Sequence, residues 1–263
     1  MGIAAIRLIS ADADSLARFY EHGLGFVRAG EASATDPFGA RLRKLIALRL
    51  GNERIEIAEL AGPVAATTPA QAIGTGFQHF AIVAPVMAEA FARLDRQPGW
   101  TAISQGGPQV LPPASGGVTA FKFRDPEGHP LELLSFPPDG IPARWQTREG
   151  VTVGIDHTAI VVADTARSLA FYGRLGLRQI GASLNRGPEQ AALDGLPDPL
   201  TEVTALAIPA APPPHLELLC YRWGASRQTP ADTAPLATRT VCEGGTTGLR
   251  DPDGHRWIVP AAR

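Results

Sequence analysis

Glu132 is the one charged residue in an apolar run. The stretch Phe123–Phe136, FRDPEGHPLELLSF, reads as a strand, a tight turn at Asp125–His129, and a second strand that carries this carboxylate between Leu131 and Leu133. Asp and Gly supply the side-chain hydrogen bond and the permissive backbone angles of a sharp reversal. A carboxylate in so apolar a strand needs a partner, because an unpaired buried charge is costly, and a metal ion is one such partner. Three more polar residues share this setting. Period-two alternation puts Glu56 on a face with Ala58 and Leu60, His79 with Ala81 and Val83, and His157 with Ala159 and Val161. Small neighbours leave room for an ion or ligand. A lone strand histidine is ordinarily a hydrogen-bonded core residue. One imidazole with two carboxylates and an open position suits a divalent first-row metal, with Fe, Mn, Ni or Zn all admissible and water or substrate oxygens completing the shell.

Arg7 lies two residues after Ala5 and so faces the same way. Its guanidinium could fork onto a substrate carboxylate or phosphate; the structural alternative is an edge-strand charge bent toward water. Glu59 lies on the opposite face from Glu56 and is expected to meet solvent. His129 and His255 are expected to stabilise turns.

The elements that must position these residues repeat. Ile3–Tyr20 and Ile155–Tyr172 each read as an alternating strand followed by an amphipathic helix, pairing Asp12 with Asp164 and Tyr20 with Tyr172. Asp12, Asp14 or Ser15 can cap the first helix, and Asp164 or Thr165 the second. Phe77–Leu94 is a third copy, which aligns His79 with His157. More strands follow each pair: Leu42–Leu50 and Arg54–Leu60 around a Gly51–Asn52 hairpin turn, Val118–Phe123 and Pro130–Phe136, then Thr201–Ile208 and His215–Tyr221. A fourth copy is degenerate. Trp223–Pro235 reads as polar loop, and LRDPDGHRWIVP, Leu249–Pro260, repeats the Asp125 turn with Ile258 where Glu132 stood. Pro137–Gly150 reads as a linker between halves.

This βαβββ repeat, with HxAxxV-type first strands and a DPxGHxxEL ending, resembles the vicinal oxygen chelate superfamily, which includes glyoxalase I, extradiol dioxygenases and bleomycin-binding proteins. The resemblance implies an α+β fold of βαβββ modules forming two half-open barrel domains. Residues 1–138 would hold two modules, and residues 150–263 one full module and a truncated one. It also implies one metal per module pair, with ligands from the first and last strand of each module. Carried over, Ala5 and Glu56 fill the places of module one, His79 and Glu132 those of module two, and His157 and Glu217 those of module three. Module four offers Ile258 and no first strand. The expected metal set is Glu56, His79 and Glu132, with His157 and Glu217 as a weaker second set. Pairing module two with module three instead would assemble His79, Glu132, His157 and Glu217.

The function so implied is a divalent-metal-dependent enzyme of lyase, isomerase or epimerase type. It would act on a small substrate that chelates the metal through adjacent oxygens, with Glu56 or Glu132 as the base. An Fe(II) extradiol dioxygenase and a non-catalytic drug-sequestering protein are the alternatives. Composition narrows the rest. The chain has 263 residues and a hydrophobic fraction of 44%, enough for a real core, and its net charge of −2 gives no basic surface for nucleic acid. No segment is long and apolar enough to span a bilayer, and the start lacks the parts of a signal peptide. Cys220 and Cys242 have no metal spacing and read as reduced, buried thiols of a cytoplasmic protein. Exposed sheet edges make a homodimer plausible.

Overall fold

The computed structural model describes residues 2–31, 35–65, 71–209, 211–223 and 230–261. The first unit runs β1 (Ile3–Ser10), α1 (Ala13–Leu24), β2 (Val27–Glu31), β3 (Leu42–Leu50) and β4 (Glu53–Leu60). The second runs β5 (Gln78–Val83), α2 (Met87–Asp95), the short β6 (Thr101–Ala102) and β7 (Gln109–Val110), β8 (Thr119–Arg124) and β9 (Pro130–Ser135). A one-turn helix, α3 (Ala143–Gln146), lies in the connection. The third unit is β10 (Gly154–Val161), α4 (Thr165–Arg174), β11 (Arg178–Arg186), α5 (Pro188–Asp194), β12 (Leu200–Ala207) and β13 (His215–Tyr221). Three short strands close the chain: β14 (Arg239–Cys242), β15 (Thr247–Arg250) and β16 (Arg256–Val259).

Local chemistry sets the boundaries. The Asp12 carboxylate accepts from the Ser15 N–H and starts α1, and Gly25 ends it in the left-handed conformation at φ 73°. Asp164 caps α4 through the Arg167 N–H in the same way. Gly51, at φ 62°, turns β3 into β4. Of the expected loop Trp223–Pro235, residues 224–229 lie outside the described residues.

The strands form two open sheets rather than closed barrels, in the orders β15-β16-β14-β1-β4-β3-β2 and β11-β12-β13-β10-β5-β9-β8-β6, with β7 also pairing β8. Each sheet takes strands from both halves of the chain. β1 pairs antiparallel with β14, and β5 pairs antiparallel with β10. The boundary expected between residues 138 and 150 is therefore not a boundary between sheets. The apolar cores run the other way. Leu16, Phe19 and Tyr20 of α1 pack with Ile6, Leu8, Ile55 and Ile57 of the first sheet and with Phe80, Ile82, Phe121, Leu131 and Leu133 of the second. A separate core joins Ile160, Tyr172, Leu216 and Leu218 to Cys242 and Trp257. Units one and two share a core, as do three and four, while sheet pairing couples two with three and one with four.

Two expectations need correction. Arg7 is not on an edge strand: β1 lies between β14 and β4, and Arg7 is buried. Glu59 does not meet solvent. It is buried, pairs with Arg43 and accepts from the Ala13 N–H at 3.4 Å, because α1 packs over its end of β4.

Candidate metal centre

β5, β9 and β10 are buried along their whole length, as befits neighbouring central strands. Registry converges their polar side chains. β9 runs parallel to β5 with Glu132 beside Ala81, two residues past His79. β13 runs parallel to β10 with Glu217 beside Ala159, two residues past His157. The antiparallel β5–β10 pairing sets His79 opposite Ala159 and His157 opposite Ala81. Alternation then turns all four ligand-type side chains to one face, and the alanines leave the space between them open.

His79 Nε2 lies 3.1 Å from Glu132 Oε2, and the His79 and His157 rings meet edge to face at 5.8 Å. His157 Nε2 lies 3.6 Å from Glu217 Oε2. Ligand atoms of His79, Glu132 and His157 all fall within 4.8 Å of one another. Both ring nitrogens of His79 are buried without a hydrogen bond; the Glu132 contact is close but lacks hydrogen-bond geometry. Burial pushes His79 below the ordinary imidazole pKa, so its ring is neutral with a lone pair to offer. Burial works against the Glu132 carboxylate, but its contact with His79 and the charges of Lys122 and His157 outweigh this and hold its pKa at about 2. A buried neutral imidazole with orphaned nitrogens beside an ionised carboxylate is what a divalent cation satisfies. The residues present fit a metal.

Behind this cluster, His157 Nδ1 contacts Asp156 Oδ2 at 3.2 Å. Asp156 is held in turn by Arg144 and by the Trp145 indole N–H at 3.4 Å. His215 Nε2 lies 3.4 Å from Glu217 Oε1. The cavity in front of the cluster measures about 220 Å³, and Lys122, Gln190, Thr201 and Tyr221 also line it.

Glu56 and Arg7 are elsewhere. Glu56 sits in β4 of the other sheet, where Oε2 accepts from Arg7 Nε at 2.9 Å and Oε1 lies 3.2 Å from Arg54 Nη2. Arg7 also donates to the Thr35 carbonyl at 3.3 Å. Neither residue lines the cavity, and Glu56 joins no ligand group among the described residues. The expected set of Glu56, His79 and Glu132 is thus split between sheets, and His79 and Glu132 meet His157 and Glu217 instead.

The first sheet keeps the register of the second without its chemistry. β1 and β14 set Ala5 opposite Val241 and Arg7 opposite Arg239, while β14 and β16 set Val241 beside Ile258. By this register Ala5 stands for His79, Glu56 for Glu132, Arg239 for His157 and Ile258 for Glu217. The last unit therefore does have a first strand, β14, and what it lacks is the helix after it. Phe38 packs on Ala5, Val241 and Ile258, and Arg239 forms a fully buried two-pronged pair with Asp36 at 3.1 and 2.7 Å.

The sequence of residues 2–133 matches the model of the Glyoxalase/Bleomycin resistance protein/Dioxygenase superfamily. The chain belongs to that superfamily. Among solved structures it is similar to glyoxalase I from Zea mays, with a TM-score of 0.63 and 17% identity over 98% of this chain and 91% of that one. A point mutant of the maize enzyme gives 0.63 and 17% over 97% and 90%. A proposed dioxygenase from Bacillus subtilis subsp. subtilis str. 168 gives 0.51 and 14% over 92% and 70%. At these identities the likeness is one of fold. No curated protein matches. No described helix is long and apolar enough to cross a membrane.

Sequence reasoning passed over several residues of this superfamily member's centre. Asp156 and His215 were discoverable: Asp156 precedes His157, and His215 shares the face of Glu217 at two residues' spacing. Lys122 carried the same signal as Glu132, a lone charge in an apolar strand. Asp194 carried no signal, since α5 lies between the expected strands.

Proposed function

We propose that His79, Glu132, His157 and Glu217 hold one divalent first-row metal ion, of iron, manganese, nickel or zinc. The chain would then be an enzyme of lyase, isomerase or epimerase type, acting on a small substrate that presents two adjacent oxygens. The observation that carries this is the buried convergence of His79, Glu132 and His157, with both nitrogens of His79 unsatisfied. The metal, held by these residues, would supply Lewis acidity to stabilise negative charge on a substrate oxygen when a proton leaves carbon. The protein supplies the base. Glu217 suits that role better than Glu132, because its side chain is 20% exposed against 8% and His215 Nε2 stands 3.4 Å away to take up a proton. Glu132 lies against His79, with Lys122 its neighbour in the β8–β9 register. Glu56, tied to two arginines in the other sheet, has no part in the reaction.

The pairing of units two and three also brings together two histidines and a glutamate, the ligand type of non-haem Fe(II) oxygenases. Glu217 separates the readings. It adds a second carboxylate to that trio, one that would serve as the base that proton abstraction from carbon requires. Elemental analysis of protein purified without chelator, beside Glu132→Ala, tests the shared premise. About one metal ion per chain, lost in the variant, supports it, and equal negligible metal in both overturns it in favour of a binding protein. Oxygen uptake with catechols would overturn the lyase, isomerase or epimerase reading.

A further inference from the structure

The wall of the cavity beside the metal ligands is polar and organised by one residue. Asp194, the last residue of α5, is buried. Its Oδ1 accepts from Lys122 Nζ at 2.7 Å, and its Oδ2 accepts from Gln190 Nε2 at 2.7 Å and from the Tyr221 hydroxyl at 3.0 Å. These contacts cross between units, since Lys122 belongs to β8. α5 is docked there by two more bonds, Ser104 Oγ to the Leu193 carbonyl at 2.9 Å and the Gln105 N–H to the Ala192 carbonyl at 2.8 Å. The wall is a fixed surface.

Asp194 also decides which way Gln190 points. A carboxylate beside the amide requires its NH₂ end, so Oε1 must turn the other way. That oxygen is buried without a partner, in a residue that lines the cavity. Lys122 lines it too. An ammonium has three N–H donors, and one goes to Asp194. The residues that line the cavity therefore include an unsatisfied acceptor, Gln190 Oε1, and a cation with donors left over. A hydroxyl group both donates and accepts, and so answers both. A carboxylate has no hydrogen for Gln190 Oε1 and would face that oxygen's lone pairs. An alkyl group would leave both groups unpartnered, which is the costly outcome for buried polar atoms. At about 220 Å³, the cavity falls below the ~300 Å³ lower end of pockets for drug-sized ligands.

We propose that Lys122 and Gln190, held by Asp194, recognise a hydroxyl group on the substrate, so that the site selects compact hydroxycarbonyl compounds over carboxylate-bearing or alkyl-substituted ones. This rests on the metal-dependent reading of the same site. The test uses cobalt(II)-loaded protein and three metal-chelating probes of similar length: 3-hydroxypropanohydroxamate, butanohydroxamate and succinohydroxamate. Binding is followed by the visible spectrum of the cobalt. The hydroxyl probe is expected to bind about tenfold tighter than either of the others, the scale of one well-made buried hydrogen bond. Gln190→Leu is expected to reduce that preference to about twofold or less. Lys122→Met should do the same, but it leaves Asp194 buried without its countercharge, so Gln190→Leu is the deciding variant. Equal affinity for the three probes, or a preference unchanged in Gln190→Leu, overturns the inference and leaves the metal reading standing. A protein that takes up no cobalt overturns both.

Discussion

The hydroxyl of Tyr20 donates to the carboxylate of Asp125 at 2.9 Å, tying helix α1 of the first unit to a turn in the second. Asp125 also accepts from the Glu127 and His129 N–H groups, and His129 reaches on to the Ile9 carbonyl at 3.0 Å. Tyr172 and Asp251 repeat the bond at 2.7 Å, and His255 contacts the Val161 carbonyl at 2.8 Å. The DPxGH turns are clasps between adjoining units. Tyr20→Phe leaves a buried carboxylate oxygen short of one donor and should cost about 1–3 kcal/mol, with Tyr172→Phe similar. Urea unfolding measures the loss, and metal content should not change.

Glu56→Gln is expected to keep the metal and lose stability. Arg7 is buried against Glu56, and removing one partner of a buried pair costs about 3–5 kcal/mol because the other charge is left uncompensated. A thermal melt beside elemental analysis checks both halves of the expectation.

Asp156→Asn tests the support behind His157. The Asp156 carboxylate fixes the ring through Nδ1, which leaves Nε2 for the metal. Loss of such a partner lowers metal affinity about 10–100-fold. Competition with a chromogenic chelator measures it, and far-ultraviolet circular dichroism should be unaltered.

In the metal-free protein His157 carries a proton. Burial opposes the charge, but Glu217, Asp156 and Glu132 outweigh it and raise the pKa from 6.5 to about 9. A folded-state value above the unfolded one contributes stability that is fully present below pH 6.5 and is lost as pH rises through 9. The metal-free protein should therefore melt at progressively lower temperature across that interval. Metal affinity should move oppositely, rising by up to about tenfold per pH unit as the competing proton leaves. Differential scanning calorimetry with and without added metal separates the two slopes.

Much of this was legible in the sequence because period-two alternation fixes the face of each side chain. His79, Glu132, His157 and Glu217 could be read from their small or apolar neighbours, and the repeat gave their equivalence. What alternation does not report is which strand edge meets which. β5 and β10 pair across the linker, and that choice depends on edges that look alike in sequence. Glu56 sits between apolar neighbours, as Glu132 does; Arg7, one strand away, and Arg54, two residues before it on the same face, show that its charge is already answered. The first strand of the last unit was hidden because no helix follows it, and helical periodicity was the marker used to find such strands.

The exchange of strands between halves has a consequence for biosynthesis. His79 and Glu132 emerge from the ribosome before Glu217, and until β10 and β13 are made β5 is a raw edge carrying half of the proposed metal site. A nascent chain has nothing there to close around an ion. Metal capture would thus wait until β13 has been made, and a chain cut short before residue 217 would have a buried core but an unfinished cation cage.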